Sequence, residues 1–230
     1  MPLEAPLSPV GDRVADLNAR HAHHSAIQVL EHALSDPQIG HAALVSSFGA
    51  ESIVLLHMVS LIDRTTPVLF LDTEMLFPET LHYQRDVADQ LNLNVQVIRP
   101  NRDETFLNDP NNHMHIHDPD GCCALRKDNP LQAALASFDA WITGRKRFQG
   151  GQRAALDFFE TDAQGRIKIN PLAHWSPEDV RDYFVNNRLP RHPLTAKGYP
   201  SIGCAPCTCL LYTSDAADES SRGGVGGGGG

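Results

Sequence analysis

The sequence has no long apolar run and no excess of positive charge. It contains no stretch of about eighteen consecutive apolar residues, so we expect no membrane-spanning helix. Its 19 Lys and Arg residues are outnumbered by 28 Asp and Glu residues, and the formal net charge of −9 argues against a nucleic-acid-binding protein with a wide basic surface. The N-terminus also lacks the basic and apolar segments of a secretory signal, so we expect a cytoplasmic protein.

Cysteine is scarce, but its spacing is informative. Four of the five cysteines form two close pairs, Cys122 with Cys123 and Cys204 with Cys207. In a reducing compartment such pairs indicate metal ligation or catalysis rather than disulfides. Four thiolates fit an iron–sulfur cluster or a tetrahedral zinc ion, although adjacent cysteines are unusual for zinc. Buried cysteines without a metal are a third interpretation, and the spacing alone leaves all three open.

Apolar runs alternate with helical patterns from residue 41 onward. Strands that alternate with helices predict an α/β fold, in which a parallel twisted sheet carries helices on both faces. Residues 1–40 are predicted to form an N-terminal helical segment against this domain. Strands are predicted at 41–47, 66–73, 94–100, 140–144 and from residue 167, and helices at 53–63, 77–92, 127–139 and after an N-cap at residue 176.

Ligands bind parallel sheets beyond the carboxyl ends of the strands. Polar residues at the predicted strand ends are therefore expected to converge on one cleft. They are Ser46, Ser47, Asp72, Thr73 and Arg99.

The stretch SSFGAES, residues 46–52, leaves the first predicted strand and enters a helix. Gly49 and Ala50 let the backbone approach a ligand, and helix N-terminal amides with three serine hydroxyls suit a phosphate or sulfate oxyanion. A simple turn with an N-cap serine is the alternative interpretation. The stretch is neither a Walker A motif nor a dinucleotide fingerprint, because it lacks the lysine of the first and the glycine spacing of the second.

A series of motifs in fixed order resembles the adenylyl-sulfate and phosphoadenylyl-sulfate reductases, which are relatives of the PP-loop ATP pyrophosphatases. The resemblance covers roughly residues 44–208 and implies a PP-loop, adenine nucleotide alpha hydrolase-like fold. The motifs are SSFGAESIVLLHMV, LDTEMLFPET, CCALRKDNPL, WITGRKRFQGGQRA, IKINPLAHWSPEDV and LPRHPLTAKGYPSIGCAPCT.

The resemblance implies a cofactor and a substrate. In the family, a CC pair with a distant CxxC marks the members that carry a [4Fe-4S] cluster, most of which use adenylyl sulfate. This implies cluster ligation by Cys122, Cys123, Cys204 and Cys207. Lys127 matches a family lysine that lies between the cluster and the substrate. The substrate-binding residues implied by the loops and strand ends are Ser46, Ser47, Gly49, Asp72, Thr73, Gly144, Arg145, Arg147 and Arg153.

The implied reaction is the reduction of adenylyl sulfate to sulfite and AMP in sulfate assimilation and cysteine biosynthesis, with thioredoxin or glutaredoxin as the reductant. Homo-oligomers are common in the family, so a dimer or tetramer is expected. The nearest alternative is a phosphoadenylyl-sulfate reductase that keeps the cluster. A PP-loop ATP pyrophosphatase and a zinc-stabilised binding module are alternatives of other classes.

The sequence departs from the family pattern after Thr208. The family continues to an ECGLH-like tail whose cysteine is the nucleophile, and no such motif is present. Instead, CLLYTSDAADE, which begins at Cys209, reads as the translation of a transposase-adaptor sequence. We therefore expect a reductase domain at residues 41–208, a non-native tail at 209–230, and no turnover by this chain. A genuine Gly-rich tail is the alternative.

Overall fold

The computed structural model describes residues 8–149 and 155–210. Six strands form one sheet within this part of the chain, in the order β3-β2-β1-β4-β6-β5. Each neighbouring pair is parallel except β5 and β6, which are antiparallel. The strands are β1 Ala42–Ser46, β2 Pro67–Leu71, β3 Asn94–Ile98, β4 Ala140–Ile142, β5 Phe159–Thr161 and β6 Ile167–Ile169.

The predicted α/β architecture is confirmed, with one addition. Strand β5 was not predicted, because it is only three residues long and too short to show a period of two. It pairs with β6 through a turn in which the Gly165 amide donates to the Asp162 carbonyl (3.1 Å) and Gly165 has a φ of 78°. The sheet is therefore mostly, rather than wholly, parallel.

Helices begin where the sequence supplies caps. Pro78 is the first residue of α4, as predicted, and Ser176 forms a capping box with Asp179 at the start of α9. A π-helical turn, Ala124–Asp128, separates α7 from α8. The α-helices are α1 Val10–His21, α2 Ala26–Ser35, α3 Ser52–Ile62, α4 Pro78–Leu91, α5 Arg102–Asn108, α6 Met114–His117, α7 Pro119–Cys123, α8 Asn129–Ala134 and α9 Pro177–Asn186.

The two faces of the sheet are covered by different helices. Alternate side chains of β2 point to opposite faces, so Val68 and Phe70 join the large core under α1–α4 and α9. Leu69 and Leu71 join a smaller core that α8 covers. The helix α3 is buried on nearly every side, which explains its almost continuous apolar sequence.

The N-terminal helical segment covers one edge of the sheet. The Asn18 side chain donates to the Phe159 carbonyl (2.8 Å) and accepts from the Phe159 amide (3.0 Å), so it satisfies the free backbone groups of β5 at this residue. Leu17 and Leu30 lie in the large core. Among the residues that the structure describes, no helix combines the length and the apolarity needed to cross a membrane.

The strand order reverses at β1. The chain proceeds from β1 to β2 on one side, whereas β4 lies on the other side. The loops that follow β1 and β4 therefore diverge and leave a crevice at their carboxyl ends, which is the usual position of ligands in such sheets.

Candidate active site

A cavity of about 410 Å³ occupies this crevice, and we call it the switch-point cavity. Three segments form its polar walls: the loop and first turn of α3 after β1, the residues after β4, and a later segment at residues 200–202. Its polar and glycine lining residues are Ser46, Ser47, Gly49, Glu51, Ser52, Gly144, Arg145, Lys146, Gln149 and Ser201.

The loop after β1 is held in one conformation. The Phe48 amide donates to Ser46 Oγ (3.1 Å), and Phe48 has a left-handed φ of 50°. Its ring is fully buried and meets Phe70 edge-on at 5.2 Å. Burial of this ring offsets the strained backbone and keeps the serines at the cavity wall.

Gly49 is required by packing rather than by its own dihedral angles. A Cβ atom at this position would lie 2.9 Å from the Ile202 carbonyl oxygen, closer than real Cβ contacts allow. The segment at residues 200–202 therefore closes directly over the loop. Gly144, on the opposite wall, has room, because a Cβ there would meet only the Leu55 side chain at 3.8 Å.

Two cationic side chains line the switch-point cavity, and each already has a carboxylate partner. Lys146 Nζ lies 2.8 Å from Glu51 Oε2 and also donates to the Gly144 carbonyl (3.1 Å). The Lys146 side chain is only 3% exposed, whereas that of Glu51 is 39% exposed. Arg145 Nη1 lies 3.3 Å from Glu160 Oε2.

Two other predicted arginines have different positions. Arg147 is not in the lining of the switch-point cavity, because its Nε donates to the Leu156 carbonyl (2.6 Å) and its Nη2 lies 3.2 Å from Asp157 Oδ1. Arg153 lies outside the described residues.

The polar strand ends do not all line the switch-point cavity. Ser46 and Ser47 line the switch-point cavity, whereas Asp72, Thr73 and Arg99 do not. Asp72 instead forms an ion pair with Arg99 (3.0 Å). The crevice lies between the loops that follow β1 and β4, whereas β2 is on the far side of β1. The residues after β2 therefore face another region.

That region contains the two cysteine pairs, and we call Cys122, Cys123, Cys204 and Cys207 the cysteine corner. Thr73 Oγ1 lies 3.1 Å from Cys204 Sγ. Cys204 forms an isolated antiparallel bridge with Leu76. The Ala205 amide donates to the Met75 carbonyl (2.7 Å), so the turn after β2 holds the CxxC segment.

A buried ion pair supports the CC side of the corner. Arg126 Nη2 lies 2.9 Å from Asp109 Oδ2, and both side chains are at most 3% exposed. Arg126 also donates to Asn112 Oδ1 (2.6 Å) and to the Thr73 carbonyl (3.4 Å). Burial alone would raise the pKa of Asp109, but hydrogen bonds from the Met114 amide and Arg126 outweigh it and lower that pKa. Lys127 is exposed.

The thiols influence one another without forming a metal site as they lie. Burial raises the pKa of Cys122 against the effect of Arg126, and the charges of Cys123 and Cys204 raise it further. Burial, with Cys204 and Cys123, likewise raises the pKa of Cys207. Within residues 8–149 and 155–210, however, no three His, Cys, Asp or Glu side chains are spaced to hold a metal ion.

Sequence reasoning missed the roles of Glu51, Lys146 and Arg126. Lys146 is the middle residue of the basic run at residues 145–147. Alternate side chains of an extended backbone point to opposite sides, so the sequence could not tell whether the two arginines or the lysine would face the cavity. Glu51 lay within the recognised loop. Arg126 follows Cys122 by four residues, so a helical stretch places them on one side, but the sequence gives no sign that Asp109 pairs with Arg126.

These features define a class of protein: an α/β domain with helices on both faces of its sheet, a cavity lined by serines and two cations at the reversal point, and two cysteine pairs near the next strand end. Residues 41–210 match the phosphoadenosine phosphosulfate reductase domain, and the chain belongs to this family. The particular relatives agree. Adenosine 5′-phosphosulfate reductase from Mesorhizobium japonicum is 47% identical over 212 residues, which are 88% of this chain and 83% of the relative.

A second relative is named for a different substrate, phosphoadenosine 5′-phosphosulfate. Phosphoadenosine 5′-phosphosulfate reductase from Gloeobacter violaceus is 39% identical over 181 residues, 77% of this chain and 75% of the relative. Among solved structures, phosphoadenylyl-sulfate reductase from Candida auris, in a phosphate complex, superposes with a TM-score of 0.76 at 27% identity. The match covers 89% of this chain and 100% of that chain.

A more distant structure supports the fold alone. FMN adenylyltransferase from Candida glabrata gives a TM-score of 0.57 at 15% identity, over 89% of this chain and 68% of that chain. The expected α/β fold is therefore confirmed.

Proposed function

We propose that this protein is an adenylyl-sulfate reductase, which converts adenylyl sulfate to sulfite and AMP in cytoplasmic sulfate assimilation. One observation carries the proposal. The switch-point cavity presents serine hydroxyls, the first turn of α3 and Lys146 to one space, and its wall at residues 200–202 leads directly to Cys204. An oxyanion site and a thiol-rich site thus share one segment of chain.

The chain's own residues bind and orient the phosphosulfate group. Ser47 and Ser52 offer hydroxyl donors, and the N-terminus of α3 favours negative charge. Lys146, withdrawn from water, interacts strongly with an anion. Residues 200–202 pack on Gly49 and exclude water from this side.

We further propose that the cysteine corner holds a [4Fe-4S] cluster. The donor set supports this, since Arg126, which follows the CC pair, and Cys204 both contact Thr73, so the two cysteine pairs lie at the same turn. When bound, the cluster would supply an electrostatic field beside the substrate. Lys127, exposed beside the buried Arg126, is the residue that we assign to the electrostatic link between the two. Asp72 and Thr73 border this corner and keep a supporting role.

The nucleophile in this proposal is a cysteine thiolate that attacks the sulfate sulfur, while the electron pair of the broken S–O bond leaves with AMP. A dithiol of thioredoxin or glutaredoxin then releases sulfite from the S-sulfonate and is itself oxidised to the disulfide. The resemblance assigns this nucleophile to an ECGLH-like motif, which is not among the residues of the given sequence.

A phosphoadenylyl-sulfate reductase is the second candidate, and the name of the Gloeobacter relative favours it. The adenylyl-sulfate assignment has its own support, because the Mesorhizobium relative named for that substrate is 47% identical to this chain and the Gloeobacter relative is 39% identical. The SSFGAES loop differs from the SGGxDS loop of the ATP pyrophosphatases, which counts against that class.

Two measurements on the chain, purified without oxygen, test the proposal. About four iron atoms and four acid-labile sulfides per chain are expected, whereas zinc without sulfide would overturn the cluster. Adenylyl sulfate should then compete with AMP for binding better than phosphoadenylyl sulfate does. A clear preference for the 3′-phosphorylated nucleotide would favour the second candidate.

A further inference from the structure

Glu51 is not among the residues proposed to bind the phosphosulfate group. Its carboxylate lines a cavity that is proposed to bind anions, and its Oε2 lies 2.8 Å from Lys146 Nζ. A carboxylate beside the site of a phosphosulfate repels it. Glu51 also precedes the first residue of α3, where a negative charge is favourable. It thus occupies the place that an anionic ligand would take.

The surroundings of Glu51 offer it a second position. A neighbouring groove of about 380 Å³ shares Ala50, Glu51 and Pro200 with the switch-point cavity, and we call it the arginine groove. Arg181 and Arg191 line this groove. The Glu51 side chain is 39% exposed and lines both spaces, whereas the Lys146 side chain is 3% exposed and lines the switch-point cavity but not the arginine groove.

We propose that Glu51 is a displaceable counter-ion that sets the anion selectivity of the switch-point cavity. In the free protein it neutralises Lys146. A bound anion replaces it there, and the carboxylate turns to the arginine groove. The inference rests on the proposed function, since it takes the cavity as the phosphosulfate site.

This arrangement discriminates between anions by the contacts that each makes with the protein in addition to its contact with Lys146. Inorganic phosphate must displace Glu51 with its charge alone, so it binds weakly. Adenylyl sulfate also gains contacts through its adenosine part, and these interactions offset the loss of the Glu51–Lys146 pair. Glu51 therefore keeps abundant small anions out of the cavity and admits the nucleotide.

The test is calorimetric titration of inorganic phosphate and of AMP into the full chain and its variants at low, fixed ionic strength. Glu51→Gln keeps the shape and removes the charge, so phosphate should bind at least about tenfold more tightly than to the wild type. Glu51→Asp keeps the charge and should give a smaller gain. Lys146→Gln in the Glu51→Gln background should abolish the gain.

The chain supplies a matched control. Glu79 and Lys197 form an ion pair of the same types at the same 2.8 Å distance, and neither residue lines the switch-point cavity. Glu79→Gln should therefore leave phosphate affinity unchanged. A similar gain in this control would mean that net charge is responsible, and it would overturn the role of Glu51.

The outcomes separate the two proposals. If Glu51→Gln binds phosphate no better than the wild type while adenylyl sulfate still binds, the counter-ion role is wrong and the proposed function stands. If neither AMP nor adenylyl sulfate binds to the wild type or any variant, both are wrong.

Discussion

The switch-point cavity and the cysteine corner lie at the same end of the sheet but differ in how they are built. The cavity is formed by a strand end, a helix N-terminus and a loop that Phe48 fixes, so its donors are in place without a ligand. In the cysteine corner, the thiols influence one another's pKa but are not spaced as a metal site among the described residues.

The difference follows from where the residues come from. Regular elements with their own hydrogen bonds carry the serines. The CC pair ends a five-residue helix, and the CxxC pair lies in a late segment held mainly by Thr73, Met75 and Leu76. An anion site is thus preorganised by backbone, whereas a cluster site is completed by the bond energy of its metal.

Removing the charge of Arg126, which is buried beside the cysteine corner, should have the largest effect on stability. Arg126→Met leaves Asp109 buried without its partner, so we expect the free energy of unfolding to fall by about 3–5 kcal/mol. Urea unfolding measures this change. In Arg181→Gln, which breaks an exposed pair with Asp182, the change should stay within about 0.5 kcal/mol. Equal losses in both variants would contradict a supporting role of the buried pair.

A methyl group at Gly49 should damage the cavity and not the corner. Gly49→Ala forces the Ile202 carbonyl away from the loop, so we expect a loss of about 1–3 kcal/mol in stability and weaker AMP binding. Gly11→Ala is the control, because a Cβ there meets nothing within 4 Å and Gly11 does not line the cavity. Unchanged AMP affinity in Gly49→Ala would show that the position of residues 200–202 does not matter to the ligand.

Low pH should destabilise the segment at residues 192–204, which contributes to both the switch-point cavity and the cysteine corner. His192 is fully buried, with Nε2 3.1 Å from Thr80 Oγ1 and Nδ1 accepting from the Leu194 amide (3.2 Å). It anchors the start of the chain that continues to residues 200–202 and Cys204. Burial lowers the pKa of His192, although Glu79 opposes this.

The unfolded chain therefore takes up a proton at His192 at a higher pH than the folded chain does. The stability that this group contributes is complete above about pH 6.5 and declines as the pH falls toward the folded-state pKa. Urea unfolding at several pH values should show that decline. His192→Gln should lower stability by about 1 kcal/mol at pH 8 and reduce the acid-dependent part. An unchanged pH dependence in this variant would exclude His192 as a contributor.

The same contrast explains what the sequence could predict. Ser46, Ser47 and Gly49 follow from the strand–loop–helix pattern and Gly144 from the family resemblance, and all four line the cavity. Arg147 could not be placed, because its direction depends on contacts with Leu156 and Asp157.

Residues that act through distant partners had no local signal. The closure of Ile202 over Gly49 joins segments that are far apart in the chain, and Arg126 pairs with Asp109 from a different helix. Strand β5 was missed for a related reason, since three residues acquire strand geometry only from pairing with β6. Sequence patterns thus identified which elements form the site, and tertiary contacts decided which side chains enter it.

Removal of the proposed cluster should have the smallest effect on the cavity. If the cavity is preorganised by backbone, chelation of the iron should leave the affinity for inorganic phosphate within about twofold, because Lys146 and the loop serines do not depend on the thiols. Hydrogen exchange should meanwhile increase at residues 203–208, whose contacts with the turn after β2 then lack the support of the metal. Loss of phosphate binding together with the iron would show that the two regions form one cooperative site, and the distinction between them would fail.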